Sequence, residues 1–115
     1  MSDEIERIRQ EIVRLARRKD ARIVPRSREM PCRWQPMTVT NPETDLPFTE
    51  AGAWRYVADL AESGHPIDQM IMKRPAGEIG YVLIAPLGHN SADLYIKIQL
   101  KGGKIFGRSF HLSTQ

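Results

Sequence analysis

Gly102 and Gly103 constrain this chain more than any other pair of residues. They separate the alternating run Leu94-Tyr95-Ile96-Lys97-Ile98-Gln99-Leu100 from a second run, Ile105-Phe106-Gly107-Arg108-Ser109-Phe110-His111-Leu112. Apolar and polar residues alternating with period two mark a half-buried strand. A two-residue loop between such runs needs positive φ at its centre, which glycine adopts at no steric cost. Pairing Lys101 with Lys104 predicts Leu100 opposite Ile105, Ile98 opposite Gly107, Lys97 opposite Arg108 and Tyr95 opposite Phe110. One face of the hairpin then carries Leu94, Ile96, Ile98, Leu100 and Ile105. The other carries Tyr95, Lys97, Gln99, Phe106, Arg108 and Phe110, with two cations directly opposed. A bulge at Gly107 would change that register and bring His111 onto the Tyr95 face.

With 115 residues the chain has room for one domain and a modest core. Cys32 is the only cysteine, so no intrachain disulfide can form, and a reducing cytoplasmic setting is expected. The longest apolar run, Tyr81 to Ala85, is too short to span a bilayer, and the polar N-terminus reads as no secretory signal, so no membrane partner is expected. The formal charge of +3 is unevenly spread. Arg7, Arg9, Arg14, Arg17, Arg18, Lys19, Arg22, Arg26 and Arg28 crowd the start, and no carboxylate follows Leu94.

Three parts are predicted within the single domain: a basic N-terminal helix over 1–24, a proline-rich arm over 25–47 and an α+β core over 48–115. Ser2 can cap the first helix, whose apolar stripe is Ile5, Ile8, Ile12 and Leu15, and which is expected to end near Asp20 before Pro25. The arm contains Pro31, Pro36, Pro42 and Pro47, and Trp34–Val39 is expected as a short edge strand. A second helix starts at Glu50 behind Thr49 as N-cap, buries Trp54, Val57, Ala58 and Ala61, and ends at Gly64. Ile67 to Lys73 reads equally as strand or helical turn. Arg74 to Gly77 is a turn, Ile79 to Leu87 a strand buried through Val82-Leu83-Ile84, and Gly88-His89-Asn90-Ser91 a loop into the hairpin. The expected architecture is therefore α+β: a small antiparallel sheet of three to four strands packed on one central helix, with the basic helix added.

No phosphate-binding glycine loop and no nucleophile elbow occurs. His65, His89 and His111 are isolated from one another at metal-ligand spacings, so neither a metal nor another cofactor is expected. Cys32 lacks a neighbouring catalytic partner in the sequence. The arginine-rich helix reads either as a solvated amphipathic face paired with Glu6, Glu11 and Asp20 or as a surface for phosphates or an acidic partner segment. The hairpin face also has two readings. Tyr95, Phe106 and Phe110 interleaved with Lys97, Lys104 and Arg108 join stacking surfaces to phosphate-seeking cations, as single-stranded nucleic acid requires. Alternatively, the aromatics form a second core face.

The same two strands, Leu94 to Leu100 and Ile105 through Arg108-Ser109-Phe110-His111, resemble the C-terminal strands of the MqsR-type toxins, small mRNA interferases of type II toxin–antitoxin pairs in the wider RelE/ParE-like fold. That family ends in a Tyr-x-Lys strand and a Ser-Phe-Lys strand, and His111 stands where it has lysine. The resemblance implies an RNA substrate near Tyr95 and Lys97, His111 in place of a catalytic lysine, and a cognate antitoxin as partner.

The chemistry of metal-independent RNA cleavage asks for a group to take the 2′-hydroxyl proton, one to protonate the leaving 5′-oxygen, and cations for the pentacoordinate phosphate. The candidate catalytic residues are Tyr95, Lys97, Arg108 and His111. Lys97, Gln99, Lys101, Lys104 and Arg108 are the candidate nucleic-acid contacts. A non-catalytic module that binds nucleic acid or an acidic protein through the same surfaces is the alternative.

Overall fold

The two predicted helices form, and both pack on the same side of one sheet. The computed structural model describes all residues except 1–2, 26–31, 74, 89–91 and 114–115. The expected Ser2 cap, Pro31, the charges of Arg26, Arg28 and Arg74, and the His89-Asn90-Ser91 part of the last loop lie outside the described residues.

Helix α1 spans Asp3–Ala16, with Asp3, Glu4 and Glu6 near the positive end of its dipole. It stops earlier than the expected end near Asp20. The Arg18 N–H bonds the Leu15 carbonyl at 3.0 Å, tightening the last turn, and a 3-10 turn at Lys19–Ala21 then redirects the chain. Arg22 Nε donates to the Ala16 carbonyl at 2.9 Å, satisfying one of the helix's orphan acceptors. Strand β1 (Arg22–Ile23) follows directly, and β2 (Arg33–Trp34) lies beyond the undescribed part of the arm. The expected Trp34–Val39 strand is thereby corrected to its first residue. Pro36 has no N–H for a ladder and opens a 3-10 turn, Pro36–Thr38, instead.

Helix α2 (Glu50–Glu62) forms as its caps predict: Thr49 Oγ1 accepts from the Gly52 N–H at 2.9 Å, and Gly64 follows the helix with φ of 88°. The ambiguous stretch after it is a strand, β3 (Asp68–Ile71), followed by β4 (Ile79–Ala85), β5 (Leu94–Lys101) and β6 (Lys104–Leu112). β4 ends before Leu87, and Ile84, expected inside, is 43% exposed.

The sheet has six strands in the order β1-β6-β5-β4-β3, with β2 also on β6. Strands β3 to β6 are antiparallel, but β1 and β2 both run parallel to β6. The class is α+β as expected, while the small antiparallel sheet is corrected to a larger mixed one. The extra strands are β1, from the end of the 1–24 segment assigned to the basic helix, and β2, from the arm, both bonded into the sheet along β6.

Trp54, Val57 and Ala61 of α2 are buried against Leu83, Leu94, Ile96, Ile98 and Ile105. Ile12, Leu15 and Ala16 of α1 join the same core, so the basic helix is half of the helical layer rather than an addition to it. An aromatic group fills the end of the core. Trp34 stacks on Trp54 with ring centroids 4.6 Å apart, and Phe110 lies 5.2 Å from Trp34 and 5.0 Å from Phe48. Both indole N–H groups donate to one Glu50 carboxylate oxygen, at 3.2 and 3.1 Å.

The hairpin closes as predicted at its tip. Gly102 and Gly103 have φ of 61° and 76°, Lys101 pairs with Lys104, Leu100 with Ile105 and Ile98 with Gly107. Beyond Gly107 a bulge shifts the register, so Lys97 pairs with Ser109, Ile96 with Phe110 and Tyr95 with His111. The expected Lys97–Arg108 and Tyr95–Phe110 pairs are corrected accordingly. The cause lies in the core: a Cβ on Gly107 would stand 2.7 Å from the Trp34 ring. Trp34 thus occupies the place of a side chain at 107, and the extra residue turns Phe110 inward to meet it.

Candidate functional site

The face of the sheet turned away from the helices gathers most of the residues singled out above. Alternation along each strand and the observed register place them in rows. Ile84, Tyr95 and His111 form one row across β4, β5 and β6. Val82, Lys97 and Ser109 form the next, with Asp68 beyond Val82 on β3. Gln99 and Phe106 follow, and Lys101 and Lys104 stand at the tip.

Tyr95 and His111, both half-buried, have ring centroids 5.5 Å apart with planes inclined at 36°. His111 Nδ1 lies 2.9 Å from the Leu112 carbonyl oxygen. That oxygen can only accept, so Nδ1 carries the hydrogen and Nε2 of the neutral ring keeps its lone pair. His111 is therefore set up to take a proton at Nε2, beside a phenol that can give one.

Lys97 is half-buried. Its stem passes over Gly80, where a Cβ would meet Lys97 Cδ at 3.6 Å and Met72 Cγ and Sδ at 3.1 Å. Burial, and then the nearby Arg108 guanidinium, push the Lys97 amine below the ordinary lysine range.

Arg108, the extra residue of the bulge, is 3% exposed. Its Nη1 donates to Gln99 Oε1 at 2.9 Å, Gln99 Nε2 donates to Glu78 Oε1, and Glu78 Oε2 accepts from Lys101 Nζ at 2.9 Å. Lys101 and Gln99 together hold the Glu78 carboxyl below its usual range against some desolvation. Burial lowers the Arg108 value, with Cys32 and Glu78 opposing. Cys32 itself donates its thiol to the Pro25 carbonyl at 2.7 Å.

The structure thus brings Tyr95, Lys97, Gln99, Arg108 and His111 to one face. It does not leave all of them equally available. Gln99 and Arg108 are buried, Lys101 is engaged with Glu78, and Lys104 turns aside to bond the Asp20 carbonyl at 3.0 Å. Phe110, expected on this face, is in the core and His111 occupies its place. Glu78, Met72 and Ser109 were not foreseen as neighbours of the site. Glu78 arrives from the turn before β4, and the only hint of it in sequence is an acid at the entrance to a strand destined to lie beside β5.

The basic face of α1 is largely occupied by this chain's own groups. Arg17 bridges Asp59 and Glu62 of α2 at 2.9 and 2.6 Å, and Arg14 and Arg18 pair with Glu11 and Asp20 at 2.6 and 3.3 Å. Arg9 Nη1 donates to the Ala61 and His65 carbonyls at the end of α2, at 3.1 and 2.7 Å. The paired, solvated reading of this helix accounts for these side chains better than a phosphate surface does.

Two grooves lie away from the hairpin face. One of about 340 Å³ sits between the Asn41–Pro47 loop and Arg55, Tyr56 and Asp59 of α2. Another of about 530 Å³ runs between α1, at Arg7, Ile8 and Arg14, and Tyr81 and Leu100. Among the described residues no cluster of three or more His, Cys, Asp or Glu is placed to hold a metal ion, and no helix is long and apolar enough to cross a membrane. No protein-family model matches the chain, and neither a curated protein nor a solved structure gives a significant match.

Proposed function

We propose that the helix-free face of the hairpin binds single-stranded RNA and cleaves it without a metal, as a toxin-like endoribonuclease held in check by a cognate antitoxin. The observation that carries this reading is the Tyr95–His111 pair, 5.5 Å between centroids, one row from the Lys97 amine. The rings offer a stacking platform for a base, a contribution of about 1–3 kcal/mol per base. Lys97 neutralises the phosphate, His111 Nε2 and the Tyr95 phenol exchange protons with the 2′- and 5′-oxygens, and the products carry a 2′,3′-cyclic phosphate and a 5′-hydroxyl. Lys101 and Lys104 would join the phosphate contacts at the hairpin tip only by leaving Glu78 and the Asp20 carbonyl.

The test is incubation of the purified chain with labelled single-stranded RNA in EDTA. Cleavage is expected, and His111→Ala and Tyr95→Phe should each slow it by roughly 10²–10⁴-fold. Tyr95→Phe keeps the stacking ring and should leave binding nearly unchanged, whereas His111→Ala should also weaken it by no more than the loss of one stacked ring. RNA that is bound and stays intact removes the enzyme and leaves the second reading, a binding module for nucleic acid or an acidic protein. The burial of Gln99 and Arg108 favours that second reading, because buried groups serve the fold first.

A further inference from the structure

Arg108 is the most deeply buried cation on the hairpin face, and its surroundings explain why a charge is kept there. A guanidinium 3% exposed is costly unless its hydrogen bonds are met. Gln99, itself 2% exposed, accepts from Arg108 Nη1 and is oriented in turn by Glu78, which Lys101 holds from outside. The amide of Gln99 therefore has no freedom to flip: its oxygen must face the arginine and its nitrogen the carboxylate. The chain from Lys101 to Arg108 fixes where the positive charge sits. The register puts Arg108 next to Ser109, the partner of Lys97, and its guanidinium on Gln99, two residues along from Lys97 on the same strand.

We propose that Arg108 is a positioning residue whose tethered guanidinium primes the Lys97 amine to accept a proton, so that Lys97 acts in acid–base chemistry rather than only as a fixed phosphate-binding cation.

The groups that face Lys97 support this. Its own strand offers Tyr95, Gln99 and Lys101. Strand β6 offers Arg108, Ser109 and His111, while β4 offers uncharged Val82 and Gly80. Asp68 lies a further strand away, on β3, and Glu78 is taken up by Gln99 and Lys101. Among the described residues no carboxylate pairs with Lys97. Met72, packed over Gly80 against the same space as the lysine stem, withdraws it further from water. A like charge nearby, burial of the stem and the lack of an ion-pair partner all favour the neutral amine. The direction already given for Lys97 agrees. As a proton acceptor the amine would take the hydrogen of the 2′-hydroxyl while the Tyr95 phenol gives one to the leaving 5′-oxygen; this last step rests on the RNA-cleavage reading, whereas the effect of Arg108 on Lys97 does not.

The experiment is an NMR titration of the intact chain carrying ¹³Cε-labelled lysine, read for Lys97, Lys101 and Lys104. Lys97 is expected to lose its proton at lower pH than the other two, and Arg108→Met should move it up toward them. Titration of Lys97 together with Lys101 and Lys104 in the wild type overturns the proposal without any variant. A low Lys97 midpoint that Arg108→Met leaves unmoved assigns the effect to burial alone and also overturns it. Should that variant fail to fold, Arg108→Gln removes the charge while keeping a polar side chain that can meet Gln99, and the same upward shift is required of it. Arg108→Lys, which keeps the charge, should retain the low midpoint. If RNA is cleaved, the rise of rate with pH should follow Lys97, moving to higher pH in Arg108→Met. Absence of cleavage with the NMR shifts intact would remove the RNA reading and keep the pairing of Arg108 with Lys97.

Discussion

The two faces of the sheet are built from the same strands and obey different rules. On the helical side, Leu94, Ile96, Ile98, Ile105 and Phe110 interlock with α1 and α2, and every member of the group is buried. On the other side, the same strands present Tyr95, Lys97 and His111 half-buried, over a deeper layer of Gln99, Arg108 and Met72. The first face is held by area removed from water, the second by hydrogen bonds whose partners come from distant turns. Alternation with period two dictates that two faces exist, and only the covering layer decides what each is for. The difference teaches that polar burial on the second face is selective: charge is sunk where it acts on a neighbour, and left at the surface where it meets solvent.

The largest test of this contrast is Trp54→Ala, which empties the middle of the covered face. It should destabilise the chain by roughly 3–5 kcal/mol in a denaturant melt; an unchanged midpoint would remove Trp54 from the core. Gly107→Ala attacks the point where the faces communicate, since its methyl would stand 2.7 Å from the Trp34 ring. The expected loss is about 1–3 kcal/mol, the usual range for overpacking. Hairpin NMR contacts should show whether the Tyr95–His111 pairing moves with it; retention of full stability would refute the account of the bulge.

On the other face the effects should appear in binding and hardly at all in folding. Lys97→Gln is expected to make the salt dependence of RNA affinity shallower by about 0.7 in log–log slope, the contribution of one phosphate contact on a single strand. A salt series with an unaltered slope would take Lys97 off the contact surface. The smallest effect is expected for Lys97→Met on stability. A lysine whose folded value is depressed binds its proton less readily in the native chain than in the unfolded one. Its cost is therefore present at low pH and is relieved as pH rises from the folded midpoint toward the unfolded value. The substitution should stabilise slightly at neutral pH, by about 0.5 kcal/mol or less, and the gain should shrink in alkaline melts. A loss of stability instead would mean that the ammonium is favourably held.

Most of the local architecture was readable in advance because it is written locally. Thr49 and Gly64 bracket α2, and Gly102-Gly103 with its flanking alternation defines the hairpin tip. What escaped, or was legible only in part, is non-local: an edge strand was expected from Trp34 but ran too far, and the bulge at Gly107 stood only as an alternative register. Strands β1 and β2 have two residues each, too few for any periodicity, and exist because β6 offers them a free edge. The bulge depends on Trp34, a residue far from Gly107 in sequence whose ring lies over it. The candidate site shared this division. Tyr95, Lys97 and Gln99 fell on the expected face by alternation alone, while the exchange of Phe110 for His111 followed from the bulge. Glu78 reached the site from another strand's turn, and burial of Arg108 beneath the surface could not be inferred from its own neighbours.

The parallel pairing of the arm with β6 has a consequence for the order in which the molecule is made. Arg22 registers with Ile105 and Trp34 with Phe110, so the early strands must wait for residues synthesised much later. While the nascent chain emerges, α1, the arm and Trp34 have no sheet to join, and the aromatic cluster lacks the strand that carries Phe110. Contacts of such long sequence separation are slow to form, because a large loop must close before any of them is rewarded. The hairpin therefore acts as a timing device: β6 must emerge before the strands that precede α2 can find their place, and until then Trp34 and Trp54 lack the Phe110 strand that covers them.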